Sequence, residues 1–196
     1  MRLYYSFVTG IAGWLGFAFY QHIATDYRTV EIMPSVDRQI VIISILFLSW
    51  GVNQIINDYL GLKEDRINAP QRPMVTGELN HTTALLVSAG LMLGVFFITW
   101  FFLEKKALIP LLLGILLNVV YEYSKSRGIL GNIVFGLMIT MCSAYGFLAA
   151  GPTQAPYFTK SRLSVIAIVW LMNGLMTFYT YFKDYKGDRR VGKNTI

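Results

Sequence analysis

Six stretches of this chain are each apolar over enough residues to cross roughly 30 Å of hydrocarbon, and that leaves little besides a helical membrane fold. They run over Leu3–Ile23, Ile40–Leu62, Thr82–Leu103, Ala107–Tyr123, Ile129–Ala150 and Leu163–Phe182. Inside a bilayer a backbone must satisfy its own hydrogen bonds, which a helix does within each segment. The expected fold class is therefore all-α, a polytopic transmembrane helical bundle of six membrane helices. Short breaks such as Glu104-Lys105-Lys106 and Gly151-Pro152 separate the spans, and no Ser/Pro-rich linker divides them. A single membrane domain over 1–196 follows. The first run is too long, and too rich in glycine and aromatic residues, for a signal peptide, so it is expected to belong to the mature chain.

Composition agrees with the runs. Of 196 residues 55% are hydrophobic and 14% charged, far from the mix of a soluble domain. The formal net charge is +6, but the cations stand at the ends of apolar runs. There they orient helices and meet acidic lipid headgroups or an anionic substrate, so membrane lipid is an expected partner and nucleic acid is not. The single cysteine, Cys142, lies in an apolar run and offers neither a disulfide framework nor a thiolate metal site. The N-terminus, the loops after the second and fourth runs and the C-terminal tail carry eleven Lys and Arg, against six on the other side. The first of these faces is expected to be cytoplasmic. It also holds Asp58, Glu64, Asp65, Glu78, Glu122, Asp184 and Asp188, so any chemistry is expected there.

Two segments on that face carry an unusual density of hard oxygen atoms. The second helix passes from purely apolar sequence into Asn53-Gln54-Ile55-Ile56-Asn57-Asp58, and on through Lys63-Glu64-Asp65-Arg66 to Arg72-Pro73. Amides and carboxylates at this depth are costly unless they line a cavity or bind something. If the helix persists, Asn53, Asn57, Gly61 and Asp65 recur every four residues along one face, with Asp58 beside them. Such a stripe suits Mg2+, which takes few protein oxygens and leaves positions for phosphate. The sixth helix ends in Lys183-Asp184-Tyr185-Lys186-Gly187-Asp188-Arg189-Arg190, two aspartates at i and i+4 among cations. The first segment has a charged helix end among headgroups as its lesser reading, and the second, taken alone, is an ordinary charged flank. Two on one membrane face can hold metal ions on either side of a diphosphate while Arg and Lys donate to its remaining oxygens.

These residues resemble a known family. Asn57-Asp58-Tyr59-Leu60-Gly61-Leu62-Lys63-Glu64-Asp65, with Arg72-Pro73 and Thr76-Gly77 after it, resembles the first aspartate-rich motif of UbiA-type prenyltransferases, N-D-x-x-D-x-x-x-D followed by R-P. Asp184-Tyr185-Lys186-Gly187-Asp188, ahead of Gly192-Lys193-Asn194-Thr195, is similar to the second motif. Tyr123-Ser124-Lys125 and Leu130-Gly131-Asn132 look like the tyrosine-lysine loop and the helix start between them. The resemblance implies an intramembrane enzyme that moves a prenyl group from a polyprenyl diphosphate to an aromatic or lipid-like hydrophobic acceptor, with Mg2+ as cofactor. It implies Asn57, Asp58 and Asp65 as ligands at a first metal site, and Asp184 and Asp188 at a second. Arg72 and one of Lys125 or Arg127 would hold the diphosphate, with Tyr123 and Lys183 beside the substrate.

Two departures stand out. The middle aspartate of the first motif is Gly61, with Glu64 a nearby carboxylate lying off the stripe. The family has nine membrane helices, so three are expected to be absent here, residues 1–126 forming a first four-helix unit and 127–196 part of a second. Glu122 is expected to pair with Lys125 or Arg127, and His81 to be a helix-end histidine. Other readings remain. A membrane terpene cyclase of the same superfamily would quench the cation internally. A truncated, non-catalytic homologue would use an exposed small-residue face (Gly131, Gly136, Ser143, Gly146) to bind a partner or form a homo-oligomer. A transporter fits less well, because the polar residues lie at helix ends.

Overall fold

The structure, a computed structural model, describes residues 3–18, 34–151 and 159–190. Among them the chain forms α1 (Leu3–Ala18), α2 (Val36–Leu60), α3 (Leu62–Asn68), α4 (Pro73–Thr76), α5 (His81–Phe102), a 3-10 turn (Lys105–Ala107), α6 (Leu108–Ser124), α7 (Ile129–Ala150) and α8 (Lys160–Arg190). Polar side chains set the starts. Ser35 Oγ accepts from the Arg38 N–H at 3.4 Å, Asn80 Oδ1 from the Thr83 N–H at 3.1 Å and Thr159 Oγ1 from the Arg162 N–H at 3.2 Å, each satisfying a donor that the first turn leaves open. Pro73 opens α4 and Gly77, at φ 85°, closes it.

Five helices are long and apolar enough to span a membrane: α2, α5, the 3-10 turn continued by α6, α7, and the Lys160–Tyr179 part of α8. The described part of the first expected span is the 16-residue α1, and residues 19–23 of that span lie outside the described residues. The integral-membrane, all-helical reading holds. Exposed Leu86, Phe101 and Phe102 on α5 are the surface expected to meet lipid.

At the centre stands α7, which packs against α1, α2, α6 and α8. Its small residues make this possible. A Cβ on Gly146 would overlap the Gly13 carbonyl, one on Gly16 the Ser143 carbonyl, and one on Gly136 would sit 2.5 Å from the Trp170 carbonyl oxygen. Ser143 Oγ donates to the Ala12 carbonyl at 2.6 Å, and Trp170 Nε1 to the Ile133 carbonyl at 3.1 Å. The small-residue face is therefore no exposed docking surface: Gly131, Gly136, Ser143 and Gly146 are all buried within the chain. In lipid, where apolar burial gives helices little reason to associate, close backbone approach supplies the attraction, and this chain uses it internally. Further cross-links join α5 to its neighbours. Ser88 Oγ donates to the Val52 carbonyl at 3.2 Å, and the Thr99 and Tyr145 hydroxyls lie 2.8 Å apart.

The expected continuous helix through Gly61 is interrupted. α2 ends at Leu60, Gly61 sits at φ −89° and ψ 10°, and α3 begins at Leu62. The hydrogen-bond ladder nonetheless continues, from the Gly61 N–H to Asn57 O at 2.8 Å and from the Asp65 N–H to Gly61 O at 2.9 Å. The break is a local bend, and it leaves Asp65 one helix beyond Asp58. α3 also packs against α8.

Close approach should show in stability. Gly146→Ala is expected to cost about 1–3 kcal/mol by overpacking. Gly94→Ala on the open face of α5, where no atom lies within 4 Å, should be neutral or stabilising by up to about 1 kcal/mol. Thermal unfolding of the two variants in detergent checks the contrast.

Candidate functional site

The polar cluster begins where α2 leaves its apolar section. Gln54 Nε2 donates to Asp58 Oδ1 at 2.6 Å, one turn apart on the helix. Beyond α3 the chain turns back, with the Arg72 N–H bonded to Ala69 O at 3.0 Å, and Pro73 fixes Arg72 as the residue that caps α4. This return places the guanidinium between two carboxylates: Arg72 Nη1 donates to Asp58 Oδ1 at 2.9 Å and also to Asp65 Oδ2. Three residues spread over fifteen positions are thereby gathered at one point. Arg72 thus occupies, with its own charge, the place between the acids where the sequence suggests a cation.

Asp65 is 8% exposed. Burial pushes its carboxyl above the ordinary carboxylate range; Arg72 opposes this by charge and hydrogen bond, Asp58 adds to it, and Lys125 opposes it. The influence of Lys125 connects a second element to the cluster. Lys125 follows the last turn of α6, and its Nζ pairs with Glu122 Oε1, one turn back. Glu122 is 8% exposed, and the expected pairing is thus observed. Of the two candidate diphosphate cations Lys125 is the one inside; Arg127 is exposed. Tyr123 points outward, 65% exposed, because it follows Glu122 by a single helical position and so faces away from it. His81 opens α5 and bonds the Met74 carbonyl through Nε2 at 2.8 Å, a helix-end role as expected.

The second acidic segment is described by its backbone. The side chains of Lys183, Asp184 and Asp188 lie outside the described residues. α8 remains helical through Arg190 and packs on α3. Tyr181 is buried, its hydroxyl against the space beside Gly131, which also abuts the Lys125 backbone. The turn ahead of Asp184 therefore lies at the same end of the bundle as Lys125 and Asp65.

From Asp58, Gln54 and Arg72 a cavity of about 510 Å³ runs inward among α2, α5, α6 and α7. Its inner wall is apolar, including Trp50, Leu91, Val95, Met138 and Met141. A charged mouth on an apolar chamber has the form of a site for an amphiphile.

The donor chemistry at the mouth fits a hard divalent ion. Asn57 Oδ1 is buried and has no hydrogen-bond partner, Asp58 and Asp65 supply carboxylate oxygens, and glycine at 61 leaves open a space bordered by Glu122 Oε1 at 3.4 Å and Glu64 Oε2 at 3.5 Å from the position of a Cβ. Among the described residues no three acidic, histidine or cysteine side chains already stand together at metal-binding distance; Asp58 and Asp65 are paired with Arg72, and Glu122 with Lys125. Sequence reasoning missed Gln54 as a support for Asp58, and the place of Glu122 beside Gly61. The amide at i−4 from an aspartate was the available signal for the first.

A model of the UbiA prenyltransferase family matches residues 29–196. The digeranylgeranylglyceryl phosphate synthase of Thermococcus sibiricus is 29% identical over 167 residues, covering 84% of this chain and 57% of the relative. That of Pyrococcus abyssi is 25% identical over 198 residues, covering all of this chain and 65% of the relative. That of Methanosphaera stadtmanae is 32% identical over 152 residues, 77% of this chain and 53% of the relative. The chain thus spans between half and two thirds of these curated relatives. A solved structure described as giving "Structural and mechanistic insights into the biosynthesis of Digeranylgeranylglyceryl phosphate synthase in membranes" superposes with a TM-score of 0.70 at 20% identity, covering 100% of this chain and 67% of that one. At that identity it speaks for the fold.

A carboxyl whose folded value is raised favours the protonated native state, so its contribution to stability is present in acid and is lost as pH rises through the raised value. Asp65→Asn removes this dependence. Between about pH 4 and about pH 7, the wild-type melting temperature should fall relative to that of Asp65→Asn. The opposite slope would show that the Arg72 pair outweighs burial.

Proposed function

The chain belongs to the UbiA prenyltransferase family, and on that premise we propose that it transfers a prenyl group from a polyprenyl diphosphate to a lipid-like acceptor, with the reacting end on the cytoplasmic side. The observation that carries this reading is the apolar chamber that opens at Asp58 and Arg72. An isoprenoid chain would occupy the chamber, and its diphosphate would lie at the mouth. The relatives' names point to the acceptor class, a lipid bearing a glyceryl phosphate group, in preference to an aromatic ring.

In this reading Asn57, Asp58 and Asp65 would hold one Mg2+, and Asp184 and Asp188 a second. Bound there, the metal neutralises charge gathering on the diphosphate as its bond to carbon weakens. The chain's own residues do the rest. Arg72 exchanges carboxylate partners for diphosphate oxygens, to which its fixed fork is equally suited. Lys125 reaches the same anion from the end of α6. The carbon–oxygen bond of the allylic diphosphate breaks with its electron pair going to the diphosphate. The apolar wall, with Trp50 in it, excludes water from the allylic cation and its ring face favours positive charge. An acceptor hydroxyl oxygen then forms the new carbon–oxygen bond, and its proton leaves to diphosphate oxygens or water at the mouth. Gln54 fixes the rotamer of Asp58 throughout.

The test is a transfer assay on purified protein in detergent, with geranylgeranyl diphosphate, geranylgeranylglyceryl phosphate and Mg2+. Product formation is expected, lowered about a hundredfold or more by Asp58→Asn or by Asp184→Ala with Asp188→Ala, a rise of about 3 kcal/mol in the barrier. Hydrocarbon products formed without the acceptor would instead identify a cyclase. Folded protein that releases no diphosphate under either condition would overturn the enzymatic reading.

A further inference from the structure

We infer that Glu122 supplies, from α6, the cation-binding carboxylate that the first acidic segment lacks at Gly61. This deepens the proposed reading and rests on its divalent-cation site at the cavity mouth. Gly61 is buried, and its backbone angles of φ −89° and ψ 10° are open to any residue. Glycine is therefore not required there by conformation. The space is what matters: a Cβ would stand 3.0 Å from the Asn57 carbonyl oxygen, 3.4 Å from Glu122 Oε1 and 3.5 Å from Glu64 Oε2. A carboxylate carried on that Cβ would crowd the oxygen that Glu122 already places there. The two side chains are alternatives for one position.

Glu122 has the properties such a replacement needs. It is 8% exposed, so as an anion it requires a counter-charge, and Lys125 Nζ provides one on Oε1. A carboxylate accepts about four hydrogen bonds or ligand contacts, so this pair leaves most of its capacity for a cation. One helical turn before Gly61, Asn57 carries a buried Oδ1 with no hydrogen-bond partner, a hard oxygen on the same helix. Glu64 borders the Gly61 space too, but from the half-exposed side of α3. With a divalent cation held by Glu122, Lys125 would be free to turn from Oε1 to the diphosphate. The ion pair is thus the form in which the site waits, the lysine holding a carboxylate ready and neutralised within the bundle.

The experiment is a Mn2+ titration followed by electron paramagnetic resonance, on the full chain in detergent. Gel filtration and thermal melting check that each variant is folded. Wild type is expected to bind Mn2+, and Glu122→Gln to weaken binding by about tenfold or more. Glu122→Gln with Lys125→Gln, which removes both charges and so keeps the interior balanced if the single variant fails to fold, should show the same weakening. Adding Gly61→Asp to Glu122→Gln is expected to restore affinity to within about threefold of wild type, whereas Gly61→Ala in that background should not. Equal Mn2+ affinity of wild type and the folded Glu122 variants overturns the inference and leaves the cation site standing. So does a failure of Gly61→Asp to restore binding. Absence of Mn2+ binding by wild type overturns the cation site itself, and the inference with it.

Discussion

Backbones approach α7 so closely that a single methyl group on its facing glycines cannot be accommodated, and the placement of the other helices depends on that contact. Gly146 against Gly13, Ser143 against Gly16 and Gly136 against Trp170 set how near α1 and α8 can come. Within lipid no solvent drives apolar surfaces together, so contact distance, reinforced by hydroxyls such as Ser143 on Ala12, is the main source of attraction. Once α8 is fixed against α7, Tyr181 is carried to Gly131, and the aspartate segment after it is carried to the end of the bundle where α3 lies. A packing rule in the middle of the membrane thus determines which polar groups meet at its surface.

Charge at that surface obeys a different constraint. Asp58, Asp65, Glu64 and Glu122 gather around Gly61 and Arg72; Arg72 pairs with Asp58 and Asp65, and Lys125 with Glu122. Carboxylates thus crowd this end of the bundle, and two of them, Asp65 and Glu122, are buried. Burying carboxylates is expensive, and the raised carboxyl of Asp65, due first to its burial, is the symptom. An apolar core residue in place of either acid would relieve the cost. A site that must attract a metal and then a diphosphate has a use for it.

Much of this could be read in the sequence, and what could not has identifiable causes. The spans were visible because hydrocarbon thickness fixes their length: Ile129–Ala150 matches α7, and Thr82–Leu103 differs from α5 by one residue at each end. The grouping of Asp58, Asp65 and Arg72 was visible because it lies within one local segment. The burial of Gly131, Gly136, Ser143 and Gly146 was not, since small residues serve contact between chains and contact within one equally well. Nor was the outward direction of Tyr123, which follows from the rotation of α6 about its axis. The relation of Gly61 to Glu122 joins residues sixty-one positions apart on α2–α3 and α6, and only packing brings them together.

Gly61 then changes meaning between the two levels. In one dimension it is a gap in an acidic pattern, a position where a ligand is lost. In three it is a space that a carboxylate oxygen from another helix borders, 3.4 Å from where a Cβ would stand. The two helices are held at that distance by contacts elsewhere, including Asn118 Nδ2 of α6 on the Asn53 carbonyl of α2 at 3.5 Å. Asn118 is fully buried one turn before Glu122, on the same side of the helix. A motif spread over two helices asks more of packing than one confined to a single helix, because its geometry is only as good as the spacing between them. The interhelical amide contact next to Glu122 is the kind of restraint such an arrangement requires, and it stands one turn from that carboxylate.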